Sequence, residues 1–331
     1  MLRNKNIKIF IKSVFGPLLF LWLLYSIYTQ VGQQPHLEES WQHIKASVTS
    51  YKIVVLGVVL LLMLANWSIE AVKWKISVAA IYPVSFFRAF RAVLSGVSLS
   101  VSMPNRMGES AGRVLYLPEG SRLKAVSVSI AGSISQLLVT LLSGIAGLLV
   151  LKPYMLQAGL VTTIWYQFLF YGTVFATLIL TVFYFGVTRW GTWLQRWLRQ
   201  SRYLYLFQSL QVFNASLLLR LLSLSFVRYI IFTLQYVLLF SFFEVHVAAY
   251  LVWGATSVLF LAMAVIPTIA LAELGLRGQV SLQLMGLFTT NSLGVVVASV
   301  TAWAINLIVP ALAGSILILT LKVFKRQHEV F

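Results

Sequence analysis

Met103–Arg113 reads MPNRMGESAGR and interrupts a strongly apolar region of the chain. Arg106, Glu109 and Arg113 bring charge into it, and Pro104, Gly108 and Gly112 oppose continuous helix. A second stretch, Ile266–Gly278 (IPTIALAELGLRG), resembles the first. In each, a proline leads into a turn rich in small residues, then a glutamate and an arginine four positions apart: Glu109 with Arg113, and Glu273 with Arg277. That spacing puts both side chains on one helix face, in the favourable order. The Pro-to-Glu distance differs by one residue between the two copies.

Around these stretches the chain is 60% apolar and only 10% charged, against roughly 25% charged in soluble domains. Several apolar runs reach the approximately 20 residues that a helix needs to cross a bilayer. The expectation is an all-α, polytopic helical membrane protein, with no polar segment longer than about 30 residues to form a separate soluble domain. The net charge is +17 and there is no Asp. Because the cations sit in short segments beside apolar spans, topology and anionic head groups explain them, and nucleic acid is excluded as a partner. The absence of Cys removes disulfides, thiol catalysis and thiolate metal sites.

Six crossings are expected, at about Ile9–Val31, Tyr51–Val72, Ala125–Leu151, Val161–Val187, Leu217–Phe243 and Leu293–Leu321. The first is read as an uncleaved span, since no small-residue cleavage site follows it. Cation placement makes both termini cytoplasmic in an inner (plasma) membrane. Of the 25 Lys and Arg, 17 then fall on the inner side and three (Lys45, Lys52, Lys152) on the outer. With that orientation Phe86–Leu123 enters and leaves from the inside, and Val247–Ser292 from the outside. Each is expected to be a re-entrant hairpin, the two inverted, in internal halves of about 51–151 and 217–321. Thr188–Phe213 spaces Trp190, Trp193 and Trp197 along one helix face and is expected to lie on the inner leaflet.

Two broken-helix hairpins entering from opposite faces are a transporter design in which half-helix ends face a substrate. Pro104 and Pro267, with Gly108 and Gly275, are the structural breaks. Arg106, Arg113 and Arg277 are suited to charge-assisted bonds with phosphate oxygens. An ionised group at the bilayer centre costs on the order of 3 kcal/mol, so Glu109, Arg113, Glu273 and Arg277 need partners. Self-neutralising pairs that only hold each hairpin together are the competing reading. Arg220, Arg228 and Gln235 make a polar stripe on the fifth span, either a track for a head group or a snorkelling Arg220 beside an Arg228 paired with a glutamate. Asn66, Glu70 and Lys73 make another stripe, read as interfacial charge balance involving Lys75. Asn306 and Pro310 mark a kink or an interhelical bond. No HExxH, nucleotide-binding glycine loop or Ser–His arrangement occurs, so neither an enzyme, a cofactor nor a metal is expected.

These motifs resemble those of the flippase-like membrane proteins related to the transmembrane domain of bacterial lysylphosphatidylglycerol synthase. Pro104, Arg106, Gly108, Glu109 and Arg113 match that family's central motif, with one extra residue before Arg113. Pro267 and Leu274-Gly275-Leu276-Arg277 match its later one, although Glu273 replaces a glycine and Gly278 stands where the family often has Glu. The resemblance covers most of the chain as a single flippase-like domain. It implies a lipid translocase moving an anionic or aminoacylated phospholipid, or a lipid-linked molecule, between leaflets. The motif residues and the stripe on the fifth span together make Arg106, Glu109, Arg113, Arg228, Glu273 and Arg277 the candidate substrate-binding set. The aminoacyltransferase domain of some relatives is not in this sequence, so a separate lipid-modifying enzyme is the expected partner. A non-transporting scaffold that presents lipid to such an enzyme is the alternative, and the oligomeric state stays open.

Overall fold

A computed structural model describes residues 52–102, 108–189, 213–266 and 270–328, with isolated positions elsewhere. Among the described residues the fold is all-α, and the chain is a polytopic membrane protein. Ten helices follow in order: α1 Ile53–Val78, α2 Phe86–Ser102, α3 Gly108–Val114, α4 Glu119–Gln157, α5 Thr163–Phe185, α6 Ala215–Phe242, α7 Ala249–Val265, α8 Ala270–Met285, α9 Ser292–Trp303 and α10 Val309–His328. A π-helical turn, Ala304–Ile308, joins the last two.

Among the described residues five segments are long and apolar enough to cross a membrane: α1, α4, α5, α6 and Ser292–Leu319. They correspond to five of the six expected crossings. The expected first crossing and the expected interfacial helix fall almost wholly outside the described residues. Between 17% and 44% of each segment's most apolar stretch is buried, so most of it faces outward. On α5 the outward set includes Phe168, Tyr171, Phe175 and Leu178, as expected where the solvent is hydrocarbon.

The two expected hairpins appear as pairs of short helices. α2 and α3 flank 103–107, and α7 and α8 flank 267–269; Arg106, Pro104 and Pro267 lie in those intervals, outside the described residues. Ile266, the residue before Pro267, has left the helical region (φ −90°, ψ 109°), as a proline imposes on its predecessor. α4 runs to 39 residues, well beyond the apolar stretch Ala125–Leu151. The π turn precedes Pro310, which has no N–H for a helical bond and crowds the carbonyl behind it. Asn306 Nδ2 there donates to the Ala302 carbonyl at 3.0 Å.

The chain divides into two compact units. One, the Arg113 unit, comprises Leu62–Ile145, Gln167–Phe232 and the chain from Leu307 onward. The other, the Arg277 unit, includes Ala146–Tyr166, Thr233–Asn306 and the start of α1 up to Leu61. In the Arg113 unit α2 packs on both α3 and α10. A Cβ on Gly112 would sit 2.5 Å from Gly96 Cα, and one on Gly96 would sit 2.6 Å from the Glu109 carbonyl oxygen. Gly108 and Gly314 likewise meet the backbone of α2, at Leu99 and Leu94. Backbones approach this closely only where small residues line the crossing, as at other membrane helix interfaces. In the Arg277 unit Gly147 of α4 plays the same part against Gly254 and Ser257 of α7.

The Arg277 unit also contains a cap with backbone strain. Two residues past the end of α6 stands Glu244, the one described non-glycine residue with positive φ (57°), a conformation that costs about 1–2 kcal/mol without glycine. The Val245 N–H donates to the Phe240 carbonyl at 2.8 Å. Glu244 also pairs with Lys52 and with His246 at 2.8 Å. The Lys52 bond holds its carboxyl below the usual carboxylate range.

Candidate functional site

The charged groups of the Arg113 unit converge on Glu70. This residue lies on α1, in line with Asn66 four residues before it and Lys73 three after, so the three share one helix face. α3, a helix of seven residues, carries Glu109 and Arg113 at its two ends. Because Gly108 and Gly112 let α3 lie directly on the α2 backbone, Arg113 is buried and its Nη1 donates to Glu70 Oε1 at 2.8 Å. Its Nη2 keeps the local partner, Glu109 Oε2, at 3.1 Å.

Arg228 of α6 completes the cluster. Its Nη1 donates to Glu70 Oε2 and, at 3.3 Å, to Gln136 Oε1 of α4. Its Nε donates to Asn66 Oδ1 at 2.7 Å, and its guanidinium lies 5.6 Å from the centre of the Trp67 ring. Lys73 Nζ is 3.2 Å from Glu70 Oε2 and donates to Ser225 Oγ at 3.0 Å; Ser225 in turn contacts Ser135 Oγ at 2.8 Å. Glu70, Lys73, Arg113 and Arg228 are each at most 7% exposed.

Glu70 therefore does not serve as interfacial charge balance with Lys75. Lys75 is exposed, whereas Glu70 sits in the interior with three cations on its two oxygens. Burial explains the arrangement. A carboxylate taken out of water must be paired and hydrogen-bonded or it neutralises.

The cluster is not closed. Among the described residues three cations, Lys73, Arg113 and Arg228, face two carboxylates, of which Glu70 is buried while the Glu109 side chain is 26% exposed. Among the described residues three buried donors beside it have no acceptor: Arg113 Nε, Asn66 Nδ2 and Trp67 Nε1.

The Arg277 unit holds a smaller set. Arg277 of α8 donates to Glu273 Oε1 through Nη2 at 2.7 Å and Nε at 3.1 Å. Its Nη1 donates to the Tyr236 hydroxyl of α6 at 3.1 Å, and the guanidinium lies 5.9 Å from the Phe260 ring centre. Glu273 and Gly275 are buried. Among the described residues one cation here meets one carboxylate.

Of the residues singled out from the sequence, Glu109, Arg113 and Arg228 are gathered in one cluster, and Glu273 with Arg277 in the other. Arg220 is exposed, and Gln235 donates to the Val59 carbonyl at 2.9 Å, so the expected stripe on the fifth span serves separate purposes. Glu70, Lys73 and Gln136 were not among the residues the sequence pointed to as binding. The available signal was an acid within an apolar span, in a chain with only eight acids. Among the described residues no three His or acidic side chains gather as metal ligands. No protein-family model, curated protein or solved structure matches the chain.

Proposed function

We propose that this membrane protein is a flippase-like lipid translocase that moves an anionic or aminoacylated phospholipid, or a lipid-linked molecule, between leaflets. One observation carries the reading: the short helix Gly108–Val114 delivers Arg113 into a buried, cation-rich cluster within a polytopic membrane chain. Buried ionisable groups in membrane spans are costly and rare, and they commonly line substrate or ion pathways. Interrupted helices are tolerated at membrane depth where they line a cavity or are covered by protein. The resemblance to the flippase-like family points the same way. In this reading the protein lies in the inner membrane with cytoplasmic termini, its hairpins enter from opposite faces, and it performs no chemical step on the lipid. A separate enzyme supplies or consumes the modified lipid.

The test is leaflet exchange in proteoliposomes, with the native chain and a panel of head-group-labelled lipids beside Arg113→Ala. The native chain should exchange one lipid class, and the variant, recovered as a folded monodisperse sample, should exchange none. Native-rate exchange by the variant rejects the site. No exchange of any lipid by the native chain favours the scaffold that presents lipid to an enzyme. The hairpin orientation has its own test, since a chain without cysteine accepts single thiols cleanly. A cysteine at position 289 should label from outside, and labelling only from inside rejects the second hairpin.

A further inference from the structure

In the Arg113 unit, a carboxylate held by two arginines and a lysine has the partner set of a bound phosphate. We infer that Glu70 occupies a phosphodiester site as an internal stand-in, and that a monoanionic phosphodiester displaces it from Arg113 and Arg228. This deepens the translocase reading, on which it rests for the source of the anion.

Three observations support the inference. The first is charge. Lys73, Arg113 and Arg228 against Glu70 and Glu109 leave one positive charge in excess among the described residues. That excess attracts an anion. The second is the set of idle donors. Arg113 Nε, Asn66 Nδ2 and Trp67 Nε1 are buried without an acceptor among the described residues, and a buried donor left unmade costs about 1–3 kcal/mol. All three belong to residues of the cluster or in contact with it. Each lacks an acceptor, which phosphate oxygens supply. The third is that displacement strands no charge. Glu70 retains Lys73 at 3.2 Å, and Arg113 retains Glu109 at 3.1 Å, while the freed Nη1 groups of Arg113 and Arg228 turn to the phosphodiester. Glu70 and ligand thus compete for the same donors, which is a coupling between two anions. Couplings of this kind change affinity roughly 5- to 150-fold.

The test measures binding without transport, so its failure and that of the translocase reading are distinguishable. Unfolding midpoints are followed in neutral detergent with added dimethyl phosphate, inorganic phosphate or phosphatidylglycerol, for the native chain, Glu70→Gln and Arg113→Lys. Glu70→Gln removes the internal competitor and should bind roughly 5- to 150-fold more tightly than the native chain. Arg113→Lys keeps the charge but removes the Nε donor, and should lose the stabilisation. Stabilisation by phosphatidylglycerol alone assigns the site to a lipid head group. Stabilisation by dimethyl phosphate as well assigns it to the phosphodiester wherever it comes from. Either supports the inference. If Glu70→Gln does not fold, the native chain against Arg113→Lys decides. Equal stabilisation of those two, or none in the native chain, overturns the proposal, as does a folded Glu70→Gln that responds no better than the native chain.

Discussion

Each hairpin carries a glutamate four residues before an arginine, and the two pairs have different surroundings. Among the described residues, Glu273 and Arg277 face one another one carboxylate to one cation, with Tyr236 as a further partner of Arg277. Arg113 divides itself between its local Glu109 and a remote Glu70, which also holds Arg228 and Lys73. The same local motif thus makes a closed pair in one unit and an open, cation-rich cluster in the other. The i, i+4 spacing supplies a pair, and what the neighbouring helices bring decides whether any capacity is left for a ligand. The closed pair is suited to holding α8 against α6, and the open cluster to exchanging partners.

The comparison is broken most severely at Glu70. Glu70→Ala leaves three buried cations with one half-wet counter-ion, and should cost about 3–5 kcal/mol, the usual penalty for removing one partner of a buried ion pair. Glu109→Ala, at the exposed edge, should cost about 1 kcal/mol or less. Denaturant unfolding of the two variants checks the ranking, and equal losses contradict the central place given to Glu70. Gly108→Ala comes next. Its new Cβ meets the α2 backbone, so overpacking of about 1–3 kcal/mol is expected. Gly172→Ala on α5, with nothing within 4 Å, should be neutral or slightly stabilising. A thermal melt that leaves Gly108→Ala unchanged means α3 does not seat on α2 as described.

Smaller still is Tyr236→Phe, which removes one hydrogen bond to Arg277 and should cost about 1–2 kcal/mol. If the Arg277 pair only fastens, this variant lowers the melting midpoint and leaves lipid exchange at its native rate; lost exchange with an unchanged midpoint would make the second hairpin part of the site. The smallest effect involves Glu244. Its carboxyl is held below its ordinary value of 4.5 chiefly by the bond from Lys52. The stabilisation is therefore present above pH 4.5 and fades as pH falls through the depressed folded value. Exposure keeps it to a few tenths of a kcal/mol. Lys52→Ala should flatten that acid limb of a stability-against-pH curve, and an unaltered limb assigns it to other carboxylates.

Much of the fold was legible in the apolar runs, because a span must hold about 20 apolar residues whatever its neighbours are. Both hairpins could be read from their prolines and from helices too short to cross. Hydropathy could not reveal the true ends of α4, whose first turns carry Glu119, Arg122 and Lys124 yet remain helical. Nor could it foresee the π turn before Pro310. In the site, the local Glu–Arg pairs were legible because four residues fix their geometry. Arg228 and Glu70 are 158 residues apart, and no local period reports that pairing. Asn66, Glu70 and Lys73 were visible as a stripe, but the direction that stripe faces is set by α3, α4 and α6.

The contact between α2 and α3 has a mechanical consequence. Where Gly96, Gly108 and Gly112 bring two backbones together, no layer of side chains remains to change rotamer and absorb a displacement. Hard-core repulsion rises steeply on one side, and lost dispersion penalises separation on the other. Arg113 is therefore coupled to α2, and through Gly314 to α10, as one stiff piece. The Arg113 side chain can still turn on its own bonds, but a change in the distance between its backbone and that of Glu70 calls for the whole piece to swing or for α1 to shift. Of the two flanking connections, Leu115–Pro118 is itself tied to α2, where Arg88 Nε donates to the Tyr116 carbonyl at 2.8 Å, so a swing is left to bend the chain at Ala79–Ser85, far in sequence from Arg113.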